Sequence, residues 1–150
     1  MADPLNMDKF IADLVRDEDM RDVVYDDATG KPLKPGDTLI GYATIGIGHN
    51  LHEPLSERVI LMLAQERAGV ARRECRFAFD FWDGLSERRK RALANMCFNL
   101  GLPRLKTFKK MILALEQGYY DQAADEALNS RWANQVGERA QRIARAFREG

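Results

Sequence analysis

The chain has little of the chemistry that staples small proteins together. Two cysteines in 150 residues are too few for a disulfide framework, and Cys75 and Cys97 lack the spacing of metal ligands. Cys97 falls inside an apolar helical pattern and is expected to be a buried, reduced thiol. The residues require no metal and no other cofactor. No apolar run is long enough to span a bilayer, so stable membrane insertion is not expected. The start, MADPLNMDKF, has neither the basic beginning nor the apolar core of a secretion signal. These absences predict a chain made in a cytoplasm, which something else must release if it acts outside one. Net charge is also missing, with 23 acids against 23 bases, yet the balance is uneven. Residues 1–37 hold ten acids and five bases, and residues 38–150 hold thirteen acids and eighteen bases. Any site between an acidic front and a basic back would meet fields of opposite sign. The run Arg88-Arg89-Lys90-Arg91 is the only hint of nucleic-acid binding, and on a helix its members face different directions, so no nucleic-acid partner is expected.

What is present is ordinary for a single globular domain: 45% hydrophobic and 31% charged residues, enough to bury a real core. Asp3-Pro4 has the form of a helix N-cap followed by a first-turn proline. Met7, Ile11, Leu14 and Glu18 then recur at spacings of four, three and four, which places them on one helical stripe. Glu18 thus continues an apolar face while Asp13 and Asp17 point elsewhere, and a carboxyl there should be buried with a raised pKa. Val23-Val24-Tyr25 reads as a short strand ending at Asp26-Asp27. Residues 29–37 are turn-rich and suggest an extended hairpin tip. Leu39 to Ile47, punctuated by Gly41 and Gly46 and followed by Gly48, reads as strands with bulges or close backbone approaches.

From Leu55 onward the pattern is helical. Ser56 has the form of an N-cap, with Val59, Ile60, Leu63 and Val70 as the apolar face of a run reaching Cys75. Asp83-Gly84 reads as a turn. Ser86 caps the next helix, whose buried stripe is Ala92, Leu93, Met96, Cys97 and Leu100, with Gly101 as its stop. Phe108, Met111, Ile112 and Leu115 form another helix closed by Gly118, and a short one starts at Asp121. After Ser130-Arg131-Trp132, a last helix carries Ala140, Ile143 and Phe147 inward. Helix, small sheet, then helical bundle gives an α+β, mainly helical fold. Within it, Glu18, Asp27 and Thr44 offer a carboxylic acid, a carboxylate and a water-holding hydroxyl, the equipment for cutting a glycosidic bond.

Four stretches carry a resemblance. They are Arg16-Asp17-Glu18 with Tyr25-Asp26-Asp27; Gly41-Tyr42-Ala43-Thr44-Ile45-Gly46-Ile47-Gly48-His49; Ala94-Asn95-Met96-Cys97-Phe98-Asn99-Leu100-Gly101; and Ser130-Arg131-Trp132-Ala133-Asn134-Gln135, followed by Arg139-Ala140 and Phe147-Arg148. The chain resembles the T-even phage lysozymes, the glycoside hydrolase family 24 endolysins. The family motif is a glutamate, eight residues, an aspartate, five residues and a threonine. Glu18 and Asp27 keep the eight-residue gap, whereas sixteen residues separate Asp27 from Thr44, eleven more than the motif has. The inserted turn sequence is expected to lengthen the hairpin and leave Thr44 in place, with Asp26 and Asp37 as alternatives to Asp27.

The resemblance implies a lysozyme-like two-lobed fold, residues 1–150 forming one catalytic domain with a small lobe at about 18–54. The helical lobe would take in about 76–150 and the N-terminal helix, a long helix joining the two. It implies a monomeric muramidase acting on peptidoglycan glycan strands by an inverting displacement. Such an endolysin would wait in the host cytoplasm until a separate holin-type permeabiliser admits it to the wall. In glycoside hydrolysis an acid protonates the leaving oxygen while a second carboxylate serves an oxocarbenium-like transition state. Glu18 suits the acid, Asp27 the base, and Thr44 the hydroxyl that holds water. Arg139 matches the family arginine that pairs with the glutamate. His49 matches a structural histidine paired with an acid on the long helix, where Glu66 or Arg67 stands in this chain. Asn95, Phe98 and Asn99 match the cleft floor and helix packing. Trp82 and Trp132 could stack on sugars, although Trp132 at a helix junction fits a packed lid over the core better. A lytic transglycosylase and a non-catalytic wall-binding module are the rival readings.

Overall fold

The computed structural model of the protein describes Leu5–Gly150, so the Asp3-Pro4 cap lies outside the described residues. Two compact units divide the chain, Met1–Ser56 and Glu57–Gly150. Among the described residues there are eight α-helices, one 3-10 helix and a single sheet of three strands. The fold is α+β and mainly helical, as the pattern predicts.

The first unit opens with α1 (Met7–Glu18). Its N-cap is Asn6, whose side chain accepts the Lys9 N–H at 3.0 Å, relieving one of the unpaired donors at the helix start. The 3–4 spacing correctly places Met7, Ile11 and Glu18 along one face, but no residue of α1 is buried. Met7 and Ile11 are 53% and 45% exposed, and Glu18 is exposed. The burial expected of Glu18 is therefore absent, because spacing fixes which residues share a face and not whether anything covers it.

Strands β1 (Arg21–Asp26), β2 (Ala43–Gly46) and β3 (His49–Asn50) form an antiparallel sheet in the order β1-β2-β3. Tyr25 pairs with Thr44 and Asp26 with Ala43, while an irregularity lies between Arg21 and Tyr25. The inserted segment folds back on the free edge of β1. Leu33 N–H bonds to the Val24 carbonyl at 2.8 Å, Asp26 N–H to the Lys31 carbonyl at 3.0 Å, and Tyr25 bridges to Pro32. Leu39 to Tyr42 is not strand. Ile40 is 77% exposed and Tyr42 55%, so these apolar residues form a lip where alternation alone suggests pairing.

The second unit carries the core. It comprises α2 (Glu57–Ala78), a 3-10 turn (Asp80–Gly84), α3 (Glu87–Leu100), α4 (Leu102–Leu105), α5 (Lys109–Glu116), α6 (Tyr120–Leu128), α7 (Arg131–Val136) and α8 (Glu138–Glu149). Ser86 caps α3 by accepting the Arg89 N–H, and Gly101, at φ +77°, ends it, a backbone region open to glycine at little cost. Ala92, Leu93, Met96 and Cys97 of α3 pack with Met111 and Leu115 of α5 and with Ala140, Ile143 and Phe147 of α8, all buried. In α2 the buried residues are Ala71 and Cys75. The expected apolar face of its first turns is out in solvent, Ile60 and Leu63 being 53% and 55% exposed. Both thiols are free and buried, and withdrawal from water raises both pKa values above the usual thiol range. The basic run disperses as expected. Arg88 pairs with Glu149 and Arg91 with Glu87, Arg89 lies over the Tyr120 ring, and Lys90 donates to the Asp83 carbonyl.

Candidate active site

In the first unit, the end of β1 and the start of β2 bring two of the named residues onto one peptide. Asp27 N–H donates to the Tyr42 carbonyl at 3.0 Å, and Asp27 Oδ1 accepts the Tyr42 N–H at 2.7 Å. Thr44, 4% exposed, donates its hydroxyl to the same Tyr42 carbonyl at 3.2 Å. The inserted residues thus leave and return at one point, and the gap in sequence does not become a gap in space. Asp27 itself is exposed, with one carboxylate oxygen fixed by backbone and the other not held by any hydrogen bond among the described residues.

The neighbouring Asp26 has a different role. Only 3% exposed, it accepts N–H groups from Ile40 at 2.7 Å, Ala28 at 2.9 Å and Gly41 at 3.0 Å. These donors, the Ile40 N–H foremost, hold its carboxyl below the usual carboxylate range against the opposing effect of burial. It is the knot that closes the base of the inserted loop. Asp37, the other alternative, accepts the Lys34 N–H at 2.8 Å within a turn. Of the three carboxylates, Asp27 alone is both exposed and tied to Tyr42, whose carbonyl accepts the Thr44 hydroxyl.

Glu18 ends α1, and Asp19 follows at φ +64° to turn the chain into β1. The Glu18 carboxylate reaches the turn between β2 and β3, where a Cβ built on Gly48 would lie 3.7 Å from its Oε2. Directly after that turn, at the start of β3, His49 pairs with Ile45 across the sheet, and its Nε2 is buried without a hydrogen-bond partner among the described residues.

The named residues of the second unit form their own network. Arg139 Nε donates to Asn95 Oδ1 at 2.8 Å. Asn99 Oδ1 accepts the Trp132 indole N–H at 2.8 Å, and Phe98 stands 45% exposed on α3. Trp132, 4% exposed, and Trp82, 6% exposed, are core residues, as the packed-lid reading of Trp132 expects. Sequence reasoning missed the reason for Gly41. A Cβ there would collide with Asp27 Oδ1 and come within 2.8 Å of Ala28, so only glycine leaves room for the aspartate.

Comparison with known proteins agrees with the motif. The phage lysozyme family profile matches residues 18–148, and the chain belongs to that family. A probable T4-type lysozyme 2 from Dictyostelium discoideum is 36% identical over 69 residues, 46% of this chain and 41% of that protein. A probable T4-type lysozyme 1 from the same organism is 24% identical over 73% of this chain and 82% of the relative. The pre-baseplate central spike protein Gp5 of Enterobacteria phage T4 is 25% identical over 87% of this chain, which spans 26% of that longer protein.

Proposed function

We propose that the protein is a muramidase that hydrolyses the β-1,4 bond between N-acetylmuramic acid and N-acetylglucosamine in bacterial peptidoglycan. The observation that carries this reading is the Tyr42 backbone, whose N–H donates to the exposed Asp27 carboxylate and whose carbonyl accepts the buried Thr44 hydroxyl. Family membership supplies the chemistry. In the proposed reaction Glu18 gives its proton to the glycosidic oxygen as the bond breaks. Asp27 takes a proton from the attacking water, which Thr44 holds in line, and the anomeric centre inverts. His49 orders the turn that the Glu18 carboxylate reaches. Asn99 fixes Trp132 and, with Phe98, lines the floor against the glycan.

The biological role we propose is that of an endolysin. It works as a monomer, stays in the host cytoplasm until a holin-type partner opens the membrane, and then degrades the wall. The inserted residues 31–40 extend the lip of the site toward glycan or peptide stems. Clearing of permeabilised Gram-negative cells tests the reading. The wild-type chain is expected to lower turbidity and Glu18→Gln to lose about 10²–10⁴-fold of that rate with its fold intact. A Glu18→Gln chain as active as wild type would overturn it.

A further inference from the structure

The proposed hydrolysis uses neither cysteine, yet the fold of the helical unit sets the two side by side in its core. Cys75 stands on α2 and Cys97 on α3, 0% and 2% exposed. Two contacts across the helix pair bracket the sulfurs. The Cys75 thiol donates to the Leu93 carbonyl at 3.9 Å, one helical turn before Cys97. The Cys97 thiol donates to Oε2 of Glu74, the residue next to Cys75, at 3.5 Å. A helical side chain leans back over the preceding turn, so Cys97 Sγ lies toward Leu93 and hence toward Cys75 Sγ. The two thiols also act on one another's ionisation, as close sulfurs must. Among the described residues no three His, Cys, Asp or Glu side chains converge as metal ligands, which leaves the pair to sulfur chemistry.

We propose that Cys75 and Cys97 are a redox-set staple between α2 and α3. It is open as two thiols under reducing conditions and closed as a disulfide by exchange with a small disulfide such as oxidised glutathione. Local opening exposes Cys97, which loses its proton and attacks one sulfur of oxidised glutathione. The glutathione S–S bond breaks, and one glutathione thiolate leaves and takes up that proton. Cys75 then loses its proton and attacks Cys97 Sγ, and the second glutathione thiolate leaves and is protonated in turn. Two protein thiols are thus oxidised and one glutathione disulfide is reduced to two thiols. Both cysteines are buried, so a glutathione adduct has no room in the closed core, and reclosure of the helices drives the second exchange. The first exchange is slow, because burial above all keeps both thiols protonated. The bond would close residues 75–97 into a ring that holds the 3-10 turn and its buried Trp82. Its formation is read without cleavage of any glycan and so stands apart from the muramidase reading.

The test incubates the native full chain with oxidised glutathione for several times the period that a thiol reagent needs to label it. Acid quenching, alkylation in guanidine and mass spectrometry then read the product. The expected product is a chain lighter by two hydrogens, carrying neither alkyl group nor glutathione, with a cross-linked Cys75–Cys97 peptide in its digest. Its melting temperature should exceed that of the reduced chain by about 10 °C and fall back with dithiothreitol. By linkage, in glutathione redox buffers the bond should form about a hundredfold more favourably in the native chain than in urea. Cys75→Ala has no second thiol to displace glutathione, so it should end as a free thiol or a single adduct with no rise in melting temperature. Cys97→Ala gives the mirror comparison if that variant misfolds. Two free thiols or a glutathione adduct as the end product of the wild-type chain, or a bridged chain that melts no higher than the reduced one, would overturn the inference.

Discussion

Asp27 and Thr44 hang from one carbonyl oxygen. That of Tyr42 accepts the Asp27 N–H at 3.0 Å and the Thr44 hydroxyl at 3.2 Å, so the two residues are anchored to one acceptor. The sixteen residues between them form a loop knotted at its base, which is why a long insertion can coexist with a short-range pair.

The closeness of Gly41 to Asp27 makes that glycine a positioning residue. Gly41→Ala must push the Asp27 carboxylate aside, and a displacement of about 1 Å costs on the order of 10²-fold in rate. Wall-digestion kinetics should show kcat falling by about that factor while KM and the circular dichroism spectrum change little.

Asp26 links the loop to pH. Its carboxyl has a depressed pKa when folded, mainly because the Ile40 N–H bonds to the charged form. A depressed folded pKa means stability that is fully present above the unfolded value of about 3.9 and is lost as pH falls through the folded value. Asp26→Asn should therefore lower the melting temperature at neutral pH, and the gap from wild type should close as the pH drops below about 4. A gap that persists in acid would show that the charge is not the source.

The hydrogen bond from Trp132 to Asn99 predicts a stability effect at an exposed position. Asn99→Ala leaves the indole N–H of a buried tryptophan unpaired, a loss of about 1–2 kcal/mol. Urea unfolding should show a lower midpoint with an unchanged slope.

The two thiols should be inert in the folded chain. Both are buried and raised in pKa, and the thiolate is the reactive species. A thiol reagent at pH 8 should label native protein at least about a hundredfold more slowly than protein in urea, because labelling requires opening.

Much of this was legible in the residues, for identifiable reasons. Ser86 and Gly101 bracket α3 because a cap and a left-handed stop are local chemistry. The inward stripe of α8 reads correctly because Ala140, Ile143 and Phe147 are all buried and the polar residues between them are not. Spacing failed where cover is decided by the rest of the chain, at Glu18 and along the first turns of α2. Alternation failed at Leu39 to Tyr42, where Asp26 captures the Ile40 and Gly41 N–H groups that a strand would have used. The short helices α4 and α7, four and six residues long, carry too few turns to show a period.

The most direct test of the account is mass spectrometry of purified peptidoglycan digested by the wild-type chain, Glu18→Gln and Asp27→Asn. The account predicts muropeptides carrying one added water and a reducing muramic acid end from the wild type, and almost none from either variant. Products lighter by one water, or equal release by Asp27→Asn, would contradict it.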